Sequence, residues 1–232
     1  MEALLNTNNQ PPEFIFFDLD DTLLDDETST RIGVDALFAK YSPATVAERH
    51  QRWNDALNQY YPSFLSGDID VQQLQRARIR YVFPNLTFSD DEALVAFEYF
   101  MVNYVQGSTL FPETREVIQA LKAQGIGLGV ISNGPTEMQV RKLKAVSLYD
   151  DFDVVITAER AGVAKPDVAI FELALAEAGK AAADCWCVGD NLQNDVLAAN
   201  QAGLCGVLLD RTGRQGQCSG KVIQTLREIT FT

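Results

Sequence analysis

The chain has 232 residues, 47% of them hydrophobic, and a formal net charge of -13. That length falls between one domain and two on a prior of about 150 residues per domain, and the apolar content excludes wholesale disorder. The negative balance argues against polymeric nucleic acid and against an anionic membrane surface as partners. It leaves room for a small anionic ligand held where the local charge is reversed.

Residues 1–12 carry Glu2, no basic residue and no long apolar core, so they are expected to be a loose tail rather than a secretory signal. The β-prone run Phe14-Ile15-Phe16-Phe17 then predicts a buried strand. It leads straight into Asp18-Leu19-Asp20-Asp21-Thr22. Side chains alternate along an extended chain, so Asp18 and Asp20 are expected on one side. Two such charges about 4 Å apart repel by roughly 4 kcal/mol at an effective dielectric near 20. The next basic residue in sequence is Arg31. The pair therefore asks for a metal ion, a shared proton or a distant lysine brought close by folding.

A long helical stretch follows. Val34, Leu37, Phe38 and Tyr41 fall at helical spacing, and Trp53, Leu57, Tyr60 and Tyr61 repeat it, closed by Pro62. Val71, Leu74 and Val82 mark an Arg-rich helix ending near Pro84. Ser89 with Glu92 forms a capping-box signal before the stripe Leu94, Phe97, Met101, Tyr104 and Val105. Four helices without an intervening strand predict a helical subdomain over residues 25–106.

From Phe111-Pro112 the pattern alternates between strand and helix. Strands are expected over 126–131, 153–156, 185–188 and 205–209, with a clear helix through Ile170, Phe171, Ala174, Leu175 and Ala178. Short apolar strands alternating with helices predict an α/β class core, a Rossmann-like parallel sheet covered on both faces and built from 13–24 and 107–232. The helical block, residues 25–106, is then an insertion after the first strand. No expected apolar stretch is long enough to cross a bilayer. Cys185, Cys187, Cys205 and Cys218 show no C-x-x-C spacing and are read as reduced thiols in a cytoplasmic compartment.

In open parallel sheets ligands bind at the carboxyl ends of the strands. There the sequence offers Asp18 and Asp20, then Ser132-Asn133-Gly134-Pro135, then Lys165-Pro166, then Gly189-Asp190 and Asp195. A carboxylate such as Asp18 can attack phosphorus to form an acyl phosphate, and Asp20 can protonate the leaving oxygen and later take a proton from water. A hard dication, Mg²⁺, suits Asp18, Asp190 and a carbonyl near Asp20. Ser132 and Asn133 precede a helix expected to start with Pro135 at its first position, and could donate to phosphate oxygens. The Lys165 ammonium could hold both phosphate and Asp18.

These four stretches, in this order from Phe14 to about Leu209, resemble the motifs of the haloacid dehalogenase-like hydrolases. The resemblance implies a Rossmann-like core with a mobile helical cap between the first two motifs, hinged near residues 24–28 and 106–111. It implies Asp18 as nucleophile and Mg²⁺ ligand, and Asp20 as acid/base with its backbone oxygen on the metal. Ser132, Asn133 and Lys165 would bind phosphate, Asp190 would ligate the metal, and Asp195 would hold metal-bound water or Lys165. The dehalogenases of the family lack a carboxylate two residues after the nucleophile; Asp20 makes this chain resemble the phosphatases. The spelling FFDLDDTLLD with ISNG is similar to a branch containing nucleoside-monophosphate and N-acylneuraminate-9-phosphate phosphatases. The expected function is Mg²⁺-dependent hydrolysis of a small phosphorylated metabolite, with no nucleic acid or membrane partner and no stated oligomeric state.

Competing readings attach to each feature. Taken singly, Ser132-Asn133-Gly134-Pro135 is a turn signal, Asp190 a helix cap and Asp195 a solvated helix residue. His50 reads as an exposed helix residue, and Arg76 with Arg80 as a solvated face. Tyr60, Tyr61 and Phe64 fit either packing or stacking on a ligand. A phosphoryl-transferring mutase is a second enzymatic reading. A receiver-like signalling module is a non-enzymatic one, although it would leave the 25–106 insertion unexplained.

Overall fold

The computed structural model describes residues 11–42, 48–213, 220–229 and 231. The expected tail of residues 1–12 lies outside the described residues up to position 10, as does Cys218. Two compact units emerge, one made of Met1–Asp25 with Leu110–Thr232 and the other of Asp26–Thr109.

The first unit holds a six-stranded sheet of β1 (Phe14–Phe17), β2 (Gly127–Ser132), β3 (Val154–Thr157), β4 (Cys185–Gly189), β5 (Cys205–Leu209) and β6 (Lys221–Ile223). Their order is β3-β2-β1-β4-β5-β6, and every neighbouring pair is parallel. All four residues of β1 are buried, as a strand covered on both faces requires. Ile15 and Phe17 join one core with Val117, Ile118, Leu121 and Trp186. Phe14 and Phe16 join the opposite core with Ile170, Phe171 and Ala174. Strand order reverses about β1, so the carboxyl ends of β1, β2 and β4 are the place where this topology opens a crevice.

Three expected strands differ by a residue: β2 and β3 each shift one position along the chain, and β4 runs on to Gly189. Ile126 is tied to the preceding helix through its N–H on the Leu121 carbonyl, at 3.2 Å, so β2 starts at Gly127. Pairing of Ser132 with Thr157 extends both β2 and β3. The edge strand β6 has only three residues and went unread in the sequence. β1 ends at Phe17 as expected, but the extended backbone expected through Asp20 gives way there, where Asp20 bridges to Leu24 in a turn whose Asp21 has φ 61°. A short polar side chain tolerates that left-handed region.

The second unit is built from α1 (Asp26–Tyr41), α2 (Arg49–Leu65), α3 (Val71–Val82) and α4 (Asp90–Gln106). Ser89 and Glu92 form the capping box that starts α4. Trp53 anchors the interior, with ring centroids 4.2 Å from Phe100 and 6.0 Å from Phe97. Pro62 does not close α2; the helix continues to Leu65. One missing N–H in the penultimate turn removes a single bond, and the Pro62 carbonyl still accepts from Ser66 at 3.0 Å. His50 is half-buried rather than exposed, with Nε2 2.9 Å from Asp35. Arg76 and Arg80 are anchored on Asp90, at 3.5 and 2.6 Å.

Helices α5 (Thr114–Ala123), α6 (Thr136–Ala145), α7 (Ala158–Ala161), α8 (Val168–Ala178) and α9 (Ala198–Gln201) complete the first unit, with a π-helical turn at Leu192–Leu197. Pro135 occupies the cap position of α6 rather than its first helical position, since its ψ of 142° is extended. Among the described residues no helix is long and apolar enough to cross a membrane.

Candidate active site

Four chain segments converge at the carboxyl ends of β1, β2 and β4. Asp18 follows β1 directly and is fixed by its N–H on the Val188 carbonyl of β4, at 2.9 Å. Lys165 arrives from the loop before α8. Its ammonium, 4% exposed, donates to Asp18 Oδ1 at 2.6 Å, Asp195 Oδ1 at 2.5 Å and the Ile131 carbonyl at 2.9 Å. All three ammonium protons are thus used. Asn133 holds the lysine's backbone: its Oδ1 accepts from Lys165 N at 2.8 Å and its Nδ2 donates to the Lys165 carbonyl at 2.9 Å. The Lys165-Pro166 peptide is cis.

Asp195 is buried, not solvated, and sits on the π-helical turn capped by Asn191. Its second oxygen accepts from the Asn191 N–H at 3.0 Å. A Cβ on Gly189 would lie 2.3 Å from the Asp195 carboxyl carbon, so only glycine lets β4 end this close to it. Asp190 is half-buried beside them, and its N–H donates to Thr22 Oγ1 at 3.1 Å. Thr22 Oγ1 in turn donates to Asp18 Oδ2 at 3.3 Å. Oxygens of Asp18, Asp190 and Asp195 lie within 4.8 Å of one another.

Asp20 is held apart from this triad, by a second lysine. Lys142 Nζ pairs with Oδ1, and Gln139 Nε2 donates to Oδ2 at 2.7 Å and to Ser132 Oγ at 2.6 Å. Asp18 and Asp20 thus pair with different ammoniums, Lys165 and Lys142, which answers the repulsion posed by the sequence. Ser132 Oγ also accepts from Gly134 N at 3.2 Å. With two donors directed at its oxygen, its own proton is left to give.

The electrostatics follow from burial. Two buried carboxylates, Asp18 and Asp195, share the Lys165 ammonium. Burial raises Asp18 above the usual carboxylate range, with Lys165 opposing and the Asp195 and Asp20 charges adding to the rise. Burial pulls Lys165 down, but the Asp18 and Asp195 charges outweigh it and hold the ammonium above its ordinary value. Burial, then the Asp195 and Asp21 charges, pushes Asp190 up to about 6. Around this centre the carboxylates of Asp18, Asp20, Asp190 and Asp195 outnumber the ammoniums of Lys142 and Lys165 that pair with three of them. An oxygen-only donor set carrying that excess suits one hard divalent cation.

The family model for haloacid dehalogenase-like hydrolases matches residues 13–203. The chain belongs to that family. It is thereby an enzyme of the hydrolase class. Pyrimidine 5'-nucleotidase YjjG of Escherichia coli (strain K12) is 29% identical over 204 residues, 88% of each chain. Glyceraldehyde 3-phosphate phosphatase of Methanothermobacter thermautotrophicus is 28% identical over 203 residues, 84% of each. Among solved structures, the magnesium-bound HAD-hydrolase YfnB of Bacillus subtilis superposes with a TM-score of 0.81 over 95% of this chain and 97% of its own. At 18% identity it attests the fold alone.

Asp18, Lys165, Asp190 and Asp195 come together as one cluster, and Asp20, Ser132 and Asn133 border it. Sequence reasoning passed over Thr22, Gln139 and Lys142. The available signal was a polar pair, Gln139 and Lys142, on the stripe of α6 that also buries Leu143.

Proposed function

We propose that this haloacid dehalogenase-like hydrolase is a Mg²⁺-dependent phosphomonoesterase of small phosphorylated metabolites that works through an aspartyl-phosphate at Asp18. That the chain is a phosphatase accords with both relatives, whose names denote hydrolysis of phosphate esters. The observation that carries the proposal is the buried Asp18–Lys165–Asp195 bridge, with Asp190 completing a carboxylate triad beside it.

Asp18 attacks phosphorus, forming the bond from its carboxylate oxygen as the bond to the leaving oxygen breaks. Asp20 gives its proton to that oxygen. Water then attacks the same phosphorus and yields its proton to Asp20, releasing inorganic phosphate and restoring Asp18. Lys165 neutralises charge on Asp18 and on the phosphoryl oxygens, and the Ser132 hydroxyl and the backbone N–H of Asn133 donate to them. Asp195 fixes Lys165. Asp18, Asp190 and the Asp20 carbonyl would hold Mg²⁺, which would offset the excess negative charge of the site and part of the phosphate's.

The favoured substrate class is a nucleoside monophosphate, because the nucleotidase relative aligns along 88% of this chain. A sugar or triose phosphate is the runner-up, on the second relative. Substrate choice is assigned to the helical unit as a cap, over residues 25–106. The test is phosphate release from p-nitrophenyl phosphate and from a panel of phosphorylated metabolites, with Mg²⁺ and with EDTA, using Asp18→Asn as control. Metal-dependent release that disappears in Asp18→Asn supports the proposal; release that survives the substitution overturns it.

A further inference from the structure

Both oxygens of Asp20 are engaged by side chains of α6. Lys142 pairs with Oδ1; Gln139 reaches Oδ2 at 2.7 Å and Ser132 Oγ at 2.6 Å through one amide nitrogen. Gln139 and Lys142 are fully buried, whereas Asp20 is half-buried. They lie three residues apart and so share a helix face. That face has no packing need for polar groups, since Leu143 beside them is buried in the ordinary apolar way. A buried ammonium is costly unless its charge is met, and a buried amide unless bonded. Gln139 accepts part of that cost, for its Oε1 has no partner among the described residues. A Cβ on Gly134 would lie 2.3 Å from the Gln139 amide nitrogen, so the turn after β2 is kept open for this side chain.

We infer that Gln139 and Lys142 are positioning residues for phosphoryl transfer: Lys142 anchors Asp20 by Oδ1, and Gln139 couples the other oxygen, Oδ2, to the phosphate-binding hydroxyl of Ser132. The inference rests on the reading of Asp20 as acid/base. An oxygen in a charge-assisted bond to an ammonium stays there. Oδ2 is then the oxygen that gives and takes the proton, and to do so it must leave the Gln139 amide. The other acceptor of that amide is the hydroxyl assigned to phosphate. Arrival of a phosphate at Ser132 and release of Asp20 Oδ2 are therefore linked through the two N–H bonds of a single amide group.

The experiment compares wild type, Lys142→Met, Lys142→Arg and Gln139→Leu, each with Asp20 and with Asp20→Asn, in Mg²⁺. Single-turnover and steady-state phosphate release are followed on p-nitrophenyl phosphate and on glycerol 2-phosphate. An alkyl leaving group needs its proton from Asp20; p-nitrophenolate departs without one. Lys142→Met is expected to lower kcat on glycerol 2-phosphate by about 10- to 100-fold, with a smaller loss on p-nitrophenyl phosphate and KM within about twofold. Lys142→Arg is expected to recover most of the loss. In the Asp20→Asn background Lys142→Met is expected to add nothing, because the residue it positions is gone. Equal losses on both substrates, an undiminished loss in the Asp20→Asn background, or no loss would overturn the inference. If Lys142→Met does not fold, Gln139→Leu, which removes no charge, carries the same comparison: a loss biased to the alkyl ester supports it and an unbiased loss overturns it. Wild type that releases phosphate from neither substrate takes down the phosphatase reading and this inference with it, whereas failure of the inference alone leaves wild type active.

Discussion

Without a divalent cation this protein should lose stability as pH rises, opposite to what a carboxylate in an ordinary ion pair does. Asp18 and Asp190 both have carboxyl groups raised above their ordinary value near 3.8. A raised carboxyl binds protons more tightly folded than unfolded, so folded-state stability is full below the ordinary value and declines as pH rises through the folded one. For Asp190 the folded value is about 6, so its window runs from about pH 4 to pH 6. The gap of about two units corresponds to roughly 3 kcal/mol, and with the group part exposed this reduces to about 2 kcal/mol. Asp18 adds a loss of the same sign. In a chain of this size about 2 kcal/mol is roughly 4–8 °C in Tm. Thermal denaturation in EDTA should therefore show Tm falling by at least that much between pH 4 and pH 8. Mg²⁺ should flatten the profile, raising Tm more at pH 8 than at pH 5, because the cation binds the ionised carboxylates and displaces protons. Asp190→Asn should lessen the slope in EDTA. A Tm in EDTA that is level or rising across this window refutes the reasoning.

Two further substitutions probe the charges in the two units. Lys165→Met removes the ammonium lying 2.6 Å from Asp18 and 2.5 Å from Asp195, leaving two buried carboxylates facing each other. It is expected to cost about 3–5 kcal/mol at pH 8 and less at pH 5, where the carboxyls take up protons; denaturant melts at the two pH values measure this, and equal stability to wild type at pH 8 would contradict the bridge. In the helical unit, burial pulls the Arg78 guanidinium down to about 10, with Tyr104, Tyr61 and Asp26 opposing, and it lies 4.0 Å from the Trp53 ring centroid. Arg78→Met loses a cation–π contact of about 2 kcal/mol but relieves a buried charge of similar cost, so Tm is expected to stay within about 4 °C of wild type; a fall beyond about 10 °C would show that the guanidinium holds the unit together.

Much of this was legible because it is written locally. The run Phe14–Phe17 is apolar at every position and is a strand between the same limits. Cys205–Leu209 likewise became β5 at its expected ends. The Ser89 and Glu92 spacing fixed the start of α4, since a capping box needs only three residues of separation. What escaped depends on distant partners. Three residues at a sheet edge carry too short a pattern to mark β6. Pro62 looked like a stop, but near a helix end its missing donor matters little. Lys142 and Gln139 went unread because only folding sets them against Asp20, 122 and 119 positions away. Lys165, 147 positions from Asp18, was legible because Lys165-Pro166 stands third among four ordered stretches, a pattern that Lys142 lacks.

The most direct measurement is the identity of the phosphorylated residue. The protein, turning over a phosphomonoester in Mg²⁺, is quenched with borohydride, which reduces an acyl phosphate at an aspartate to homoserine, and is mapped by peptide mass spectrometry. Homoserine at position 18, absent without substrate, is the expected result. Turnover with reduction at another aspartate, or with none at all, would contradict covalent chemistry at Asp18.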